Sequence, residues 1–356
     1  MSRTRNGTRG RFAITAAALA IVGIFSVPEN IHGQGGSAPR GNQSTIILSL
    51  KTAEGPTSHC SNASLAAIYF TDPRSISAYY AENSYGSIRL SGRVTGPCVV
   101  SLDKDWNRTS VANAADALAE AAGVNLSLYS HKVYILPKEA DPNPVQSSWG
   151  GESDETKLRV WIRDYWCSSK WVAAHEFGHN FKLNHASTHT DSYGDYSSSM
   201  GGWLDPSSDP STWNDMPHFN APGKIDAGWL PSSAVETVTA NGTFNVAAVE
   251  TAPAPGQVQA LKIKGANGGT DYYYFSYRQA LGFSFVLRPQ YVATTSVTRW
   301  NGVTGARTFL LANLDDGQAF TDSSKLRVTQ RSHDAMHAYI TVSFETPERS
   351  YAKQKP

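Results

Sequence analysis

The chain has 356 residues, enough for two domains, and 40% of them are hydrophobic, enough for sizeable cores. Charged residues make up only 17% and the formal net charge is +1. Residues 1–36 hold Arg3, Arg5, Arg9 and Arg11 against Glu29, a local +3, so the remainder carries 1 − 3 = −2. No basic patch is left of the kind that nucleic acid or acidic lipid requires.

At the N-terminus the arginines precede an apolar run from Phe12 to Phe25. A charged stretch followed by a short apolar one reads as a secretory signal. The run falls short of the ~20 residues that span a bilayer. Residues 1–36 are therefore expected to be a signal peptide with a Gly-rich linker, and the chain to be secreted. The alternative is an uncleaved signal anchor that tethers it to a membrane. An oxidising compartment lets two of Cys60, Cys98 and Cys167 pair. Cys60 with Cys98 is expected first, since both sit at the edges of predicted elements; Cys167 is then free, or pairs in place of one of them. No cysteine lies between the signal and the first strand, so a propeptide that blocks a metal through a thiolate is not expected.

Beyond the linker, Thr45–Leu50 is a β-branched apolar run and reads as a strand. Ser64–Tyr80 reads as a helix, with Leu65, Ile68, Tyr69, Ile76 and Tyr80 on roughly one side. A turn at Tyr85-Gly86-Ser87 leads into a strand over Ile88–Val94. Ala112–Ala122 is an alanine-rich helix ended by Gly123, and Val133–Leu136 is a buried strand. Asp141–Gly151 is a Pro/Gly/Ser-rich loop. Leu158, Val160 and Ile162 alternate with polar neighbours, as in a half-exposed strand. Lys170–Lys182 is helical, with Trp171, Val172, Ala173, Ala174, Phe177 and Phe181 as its apolar face.

That last helix carries His175-Glu176-Phe177-Gly178-His179. Residues four apart share one helix face, so two imidazoles can reach one zinc ion. Glu176 projects beside the metal, where a carboxylate can take a proton from an attacking water and hand it to a leaving amine. His185 follows six residues after His179, within reach of the same ion as a third ligand. Three protein ligands leave a position for water, the catalytic arrangement rather than the structural one. Met200, in Ser198-Ser199-Met200-Gly201-Gly202, fits a methionine turn beneath such a site. The bland alternative is an amphipathic core helix with histidines at its solvent edge. The predicted chemistry is amide hydrolysis with one catalytic Zn2+. Asp191, Asp195, Asp205 and Asp209 in the loop that follows could offer oxygens to a structural Ca2+, but their spacing matches no calcium loop, and solvated loop residues are the favoured reading.

From about Ser232 the texture becomes short strands with turns between: Val235–Val238, Thr243–Val246, Val258–Ile263, Tyr272–Tyr277, Tyr291–Val297, Thr308–Leu311, Leu326–Thr329 and Ala338–Phe344. They predict an all-β sandwich or jelly roll. Tyr272-Tyr273-Tyr274-Phe275 with Tyr277 could present rings to a glycan, though a split between core and sheet surface is the favoured reading. The expected organisation is a catalytic α/β domain over 41–231 with a twisted mixed sheet and the metal helix, an all-β domain over 232–347 and a tail over 348–356.

The stretch from His175 to His185 resembles the metzincin pattern H-E-x-x-H-x-x-G-x-x-H. With Tyr193-Gly194-Asp195, Ser199-Met200-Gly201, Phe219-Asn220-Ala221-Pro222 and Gly228-Trp229, it is similar to the gametolysin (autolysin) family, over roughly residues 44–231. The resemblance implies a secreted zinc endopeptidase with ligands His175, His179 and His185, general base Glu176, and Met200 in the turn. It also implies protein or glycoprotein substrates of cell walls or extracellular matrix. The family's glycine falls on Lys182, where a sharp exit from the helix needs positive φ. Either Lys182 takes that conformation at a cost of ~1–2 kcal/mol, or the helix runs on and Asn184 makes the turn. The competing functions are a zinc amidase acting on non-protein amides, and a catalytically dead glycan-binding or adhesion protein that retains the zinc site.

Overall fold

A computed structural model describes residues 39–344 except 57, 103–105, 141–148, 204–213 and 266–269. It is a mixed α/β fold with three sheets among the described residues. The first sheet has the order β2-β1-β3-β5-β4, built from β1 (Gly41–Lys51), β2 (Ile88–Val99), β3 (His131–Ile135), β4 (Gly151–Asp154) and β5 (Arg159–Ile162). β1, β2, β3 and β5 run parallel, and β4 is antiparallel at the edge beside β5.

Period-2 alternation decides which side chains each face of this sheet receives. Ile46, Leu48, Leu50, Tyr134 and Trp161 pack under α3 (Arg108–Ala121) with Val111, Ala112, Ala115 and Ala119. Ile47, Val133, Ile135, Val160 and Ile162 pack on the opposite face with residues of α1 (Asn62–Ala66), α2 (Ile76–Asn83) and α4 (Lys170–Asn180). Both faces are covered, as parallel strands require. This corrects the half-exposed reading of β5: Trp161 is buried, and its indole N–H donates to the Arg108 carbonyl.

The single helix expected over Ser64–Tyr80 is interrupted. α1 runs into a π-helical turn at Ala67–Thr71, and α2 starts afresh with Ser75 as its N-cap. β2 continues to Val99, beyond the expected end. β4 begins where a loop was expected to close. The expected loop 141–151 otherwise lies almost wholly outside the described residues.

The expected Cys60–Cys98 bridge is not formed; Cys60 is bonded to Cys167 and Cys98 is free. The reason lies in what holds residues 58–60. Asp164, buried, accepts from the Ser58 hydroxyl, the His59 backbone N–H and the His59 ring, which docks this segment on the turn before α4. Cys98 instead sits in β2 opposite Leu50 of β1.

The remaining strands among the described residues form two antiparallel-rich sheets. A six-stranded one has the order β6-β12-β11-β10-β9-β7, from β6 (Ala186–Ser187), β7 (Val235–Thr237), β9 (Ala260–Lys264), β10 (Tyr272–Arg278), β11 (Thr294–Trp300) and β12 (Thr308–Leu314). A four-stranded one has the order β13-β14-β15-β8, from β8 (Gly242–Ala247), β13 (Ala319–Thr321), β14 (Leu326–His333) and β15 (His337–Phe344). Val246, Phe275, Tyr277, Val297, Val328, Ile340 and Val342 from both sheets share one apolar cluster. Tyr274, Phe275 and Tyr277 are buried, while Tyr272 and Tyr273 are half-buried. β6, directly after His185, pairs in parallel with β12, so the segment leaving the histidines is stitched into the six-stranded sheet.

Candidate metal centre

α4 begins where the sequence predicts, with Ser169 as N-cap accepting from Val172 N–H. Its apolar side joins an aromatic cluster in which Phe177 and Phe181 meet Tyr80, and Phe181 meets Trp229. That packing fixes the rotation of the helix and turns His175 and His179 to one side. The exit is made by Lys182. Its φ is +66°, its N–H donates to the His179 carbonyl, and Leu183 N–H donates to the Gly178 carbonyl. These two bonds are the Schellman arrangement, with a lysine in the position that usually takes glycine. The chain therefore turns sharply and brings His185 back: the His185 ring lies 5.4 Å from that of His175 and 5.0 Å from that of His179.

His175, His179 and His185 each offer a nitrogen, and these atoms lie within 4.8 Å of one another. Among the described residues this is the one cluster of three or more His, Cys, Asp or Glu with such convergence. Tautomers follow from the partners. The His175 Nδ1–H donates to the Ser199 carbonyl at 2.9 Å and the His179 Nδ1–H to the Leu183 carbonyl at 2.8 Å. A carbonyl only accepts, so both Nε2 atoms keep a free lone pair. His185 Nδ1 is buried without a hydrogen-bond partner. Burial, then the neighbouring imidazoles, hold His175 well below its ordinary pKa. Burial lowers His179, partly opposed by its bond to Leu183. Burial, His179 and Arg307 lower His185 to about 4. Three neutral imidazoles with free lone pairs fit a zinc ion.

Glu176 is 7% exposed, and its carboxylate makes no hydrogen bond among the described residues. Burial, with a smaller push from the Glu152 charge, raises its pKa to about 8. Gly151 of β4 lies against it: a Cβ there would be 2.7 Å from Glu176 Cγ and 2.9 Å from Val172 Cγ1. Glycine is what lets the edge strand approach the metal helix so closely. Met200 is 3% exposed and packs on the same helix, where a Cβ at Gly178 would lie 2.2 Å from its sulfur. Position 178, just before the second helical histidine, must therefore be small.

The family profile of gametolysin peptidase M11 matches residues 45–281. The chain belongs to the gametolysin peptidase family. No curated protein matches it at a significant level. The matched region of this gametolysin-family peptidase reaches well past residue 231, through β7, β8, β9 and β10.

Some groups of the candidate site carry no signal in the sequence, and others, which the sequence offers as part of a motif, an apolar face or a calcium site, take a different place in the structure. The Ser199 and Leu183 carbonyls orient two imidazoles, yet a carbonyl is common to every residue. Tyr193 packs against His185, the ring centroids 4.1 Å apart and the planes tilted by 37°, and is 41% exposed. Trp171 lies 5.2 Å from the His175 ring and 6.0 Å from Trp203. Asp195 is fully buried. Its Oδ1 accepts from the Ser197 N–H and hydroxyl, and its Oδ2 from the Asn220 side-chain amide, so it ties the methionine turn together. Asp191 accepts from Tyr193 N–H. The other two calcium candidates, Asp205 and Asp209, lie outside the described residues, as does the N-terminal apolar run. No helix among the described residues is long and apolar enough to cross a membrane.

Proposed function

We propose that this peptidase is a secreted zinc-dependent endopeptidase of the metzincin type. His175, His179 and His185 hold the metal, Glu176 is the general base, and Met200 is the methionine of the supporting turn. The observation that carries the reading is the convergence of three neutral imidazoles beside a buried, unpaired carboxylate. Zinc bound there supplies Lewis acidity, which acidifies water and polarises a carbonyl.

The chain's own residues do the rest. The Glu176 carboxylate takes the proton of the attacking water and delivers it to the nitrogen of the departing amine. A nearby dication favours the ionised carboxylate and so opposes the effect of burial on this group. β4 is the outer strand of its sheet and packs against α4, so its main chain can pair with an extended peptide drawn across the site. An endopeptidase needs such a rail, since it grips a chain away from its ends.

Secretion is supported by the Cys60–Cys167 disulfide and by the signal-like N-terminus. The shared apolar cluster of the six- and four-stranded sheets supports a β-sandwich over 232–347. The proposed substrates are cell-wall or extracellular-matrix proteins and glycoproteins. The test is a peptide library digested with and without a chelator, with products mapped by mass spectrometry beside a panel of glycan amides. Chelator-sensitive cleavage at internal peptide bonds is expected. Cleavage of glycan amides alone, or of neither, would overturn the reading.

A further inference from the structure

Arg278, at the end of β10, is fully buried. Its Nε donates to Glu250 Oε1 at 2.7 Å, and Glu250 Oε2 accepts from Gln279 N–H. The guanidinium is thus held from behind by a buried carboxylate. Its other two nitrogens bond residues outside its own sheet. Nη2 donates to the Ser197 carbonyl at 2.9 Å and to the His218 carbonyl at 3.3 Å, and Nη1 donates to the Ser197 hydroxyl at 3.3 Å.

The two stretches that Arg278 grips meet again one step further on. The Ser199 hydroxyl donates to the Pro217 carbonyl at 2.7 Å, and Tyr79 OH donates to the same oxygen at 3.0 Å. The Ser199 carbonyl in turn receives the His175 Nδ1–H. An arginine from the six-stranded sheet therefore clasps 197 to 218, and Ser199, two residues along from Ser197, carries the carbonyl that sets the His175 ring.

We infer that Arg278 is a positioning residue for the metal site: by clamping Ser197 and His218 it fixes the Ser199 carbonyl, and through it the orientation of His175. This rests on the proposed ligand role of His175. A buried ion pair as such is weak evidence of function, because apolar side chains can replace one without loss. Apolar side chains cannot hold two separate main-chain carbonyls at a fixed spacing. Groups that orient a ligating imidazole are worth ~10–100-fold in metal affinity.

The experiment uses the full chain with Arg278→Lys, which keeps the charge and the pairing with Glu250 but has no planar fork. Val342→Ala, in the sheet core away from the metal, is the control for general destabilisation. For each protein, folding is checked by circular dichroism. The zinc dissociation constant is then measured by chelator competition, and the visible spectrum of the cobalt-substituted form is recorded alongside kcat and KM. Arg278→Lys is expected to weaken zinc binding ~10-fold, alter the cobalt bands and lower kcat with KM within about twofold. Val342→Ala is expected to leave affinity and spectrum unchanged. If Arg278→Lys does not fold, Glu250→Gln, which loosens the guanidinium without removing it, is read the same way with a smaller shift expected.

Wild-type zinc affinity and cobalt spectrum in a folded Arg278→Lys protein, or in Glu250→Gln where that variant replaces it, would overturn the inference. Equal changes in Val342→Ala would do the same. Failure of the wild-type protein to bind zinc would instead overturn the metal-site reading, so the two failures are distinguishable.

Discussion

Replacing Glu176 by glutamine separates chemistry from stability in one variant. The carboxylate is buried, and its pKa is raised from 4.5 to about 8, chiefly by desolvation. In the unfolded chain it ionises near 4.5, while in the metal-free fold it holds its proton to about 8. The unfolded state therefore binds fewer protons across that interval, and folding stability falls as pH rises through it. At ~1.36 kcal/mol per pH unit the interval amounts to about 5 kcal/mol, and cleft water reaching the carboxylate brings the expectation to about 3–5 kcal/mol. Chelator-treated wild type and Glu176→Gln should melt alike at pH 4.5. By pH 8 the variant should be the more stable by that amount. Urea unfolding between pH 4.5 and 8.5 reads the difference, and other titrating groups, such as buried His131, cancel between the two proteins. With zinc restored the gap should narrow, because the cation stabilises the ionised carboxylate. Peptide hydrolysis by the variant should fall by ~10²–10⁴-fold with zinc content unchanged. Parallel stability profiles for the two metal-free proteins would refute the burial argument. Retained hydrolysis would refute the role as base.

Lys182→Gly should stabilise the fold by about 0.5–1 kcal/mol, the ~1–2 kcal/mol of left-handed strain relieved less the ~0.5–1 kcal/mol entropy of glycine; a lower urea midpoint would contradict this. Gly178→Ala sets a methyl against the Met200 sulfur. It should lower stability by about 1–2 kcal/mol despite alanine's better helix propensity, and lower zinc retention on dialysis; a rise in both would show that Met200 moves aside freely. Breaking the disulfide with Cys60→Ser should cost about 2–5 kcal/mol while Cys98→Ser leaves stability unchanged, and a non-reducing peptide map should link Cys60 to Cys167. A linked Cys60–Cys98 peptide would reverse that assignment.

Much of the metal helix was legible because its information is local. Ser169, the apolar side and the two histidines four residues apart lie within a few turns of chain, and 3.6-residue periodicity brings them together. Strands β1 and β3 were legible as apolar runs and β5 as an alternating one, since both signals lie in adjacent residues, although the face of β5 that carries Trp161 proved buried too. The disulfide was not legible, because its geometry comes from Asp164 receiving residues 58 and 59 across more than a hundred positions. The break between α1 and α2 does carry a local signal, which the apolar spacing over Ser64–Tyr80 masks: Pro73 disfavours helical backbone at Asp72, which is extended, and Ser75 caps the next helix. β6 was invisible: two residues have no periodicity, and their strand character comes from β12. The turn at Lys182 could be narrowed to two alternatives but not chosen from sequence. A lysine there is locally unfavourable, and only the return of His185 with the pairing of β6 to β12 accounts for its conformation.

Within eight residues the site gathers three locally unfavourable choices: a carboxylate buried without a partner, imidazoles kept neutral by desolvation, and a lysine at positive φ. Each would weaken an ordinary core, and the aromatic packing of Phe177, Phe181, Tyr80 and Trp229 behind them holds the helix against that cost. A dication changes the sign of the first two. It favours the ionised glutamate, and it takes up lone pairs that burial has kept from protons. Zinc and acid therefore act on this region in opposite directions. Because the imidazoles of His175 and His185 resist protonation to well below 6.5 in the folded chain, metal should be retained under mildly acidic conditions that would strip an exposed three-histidine site. What keeps those rings dry and aligned includes residues far along the chain: Arg278 beneath Ser197, and the Thr308 strand beside Ala186. The proposed ligands come from one local motif, but the contacts that orient His175 and return His185 come in part from the second half of the chain.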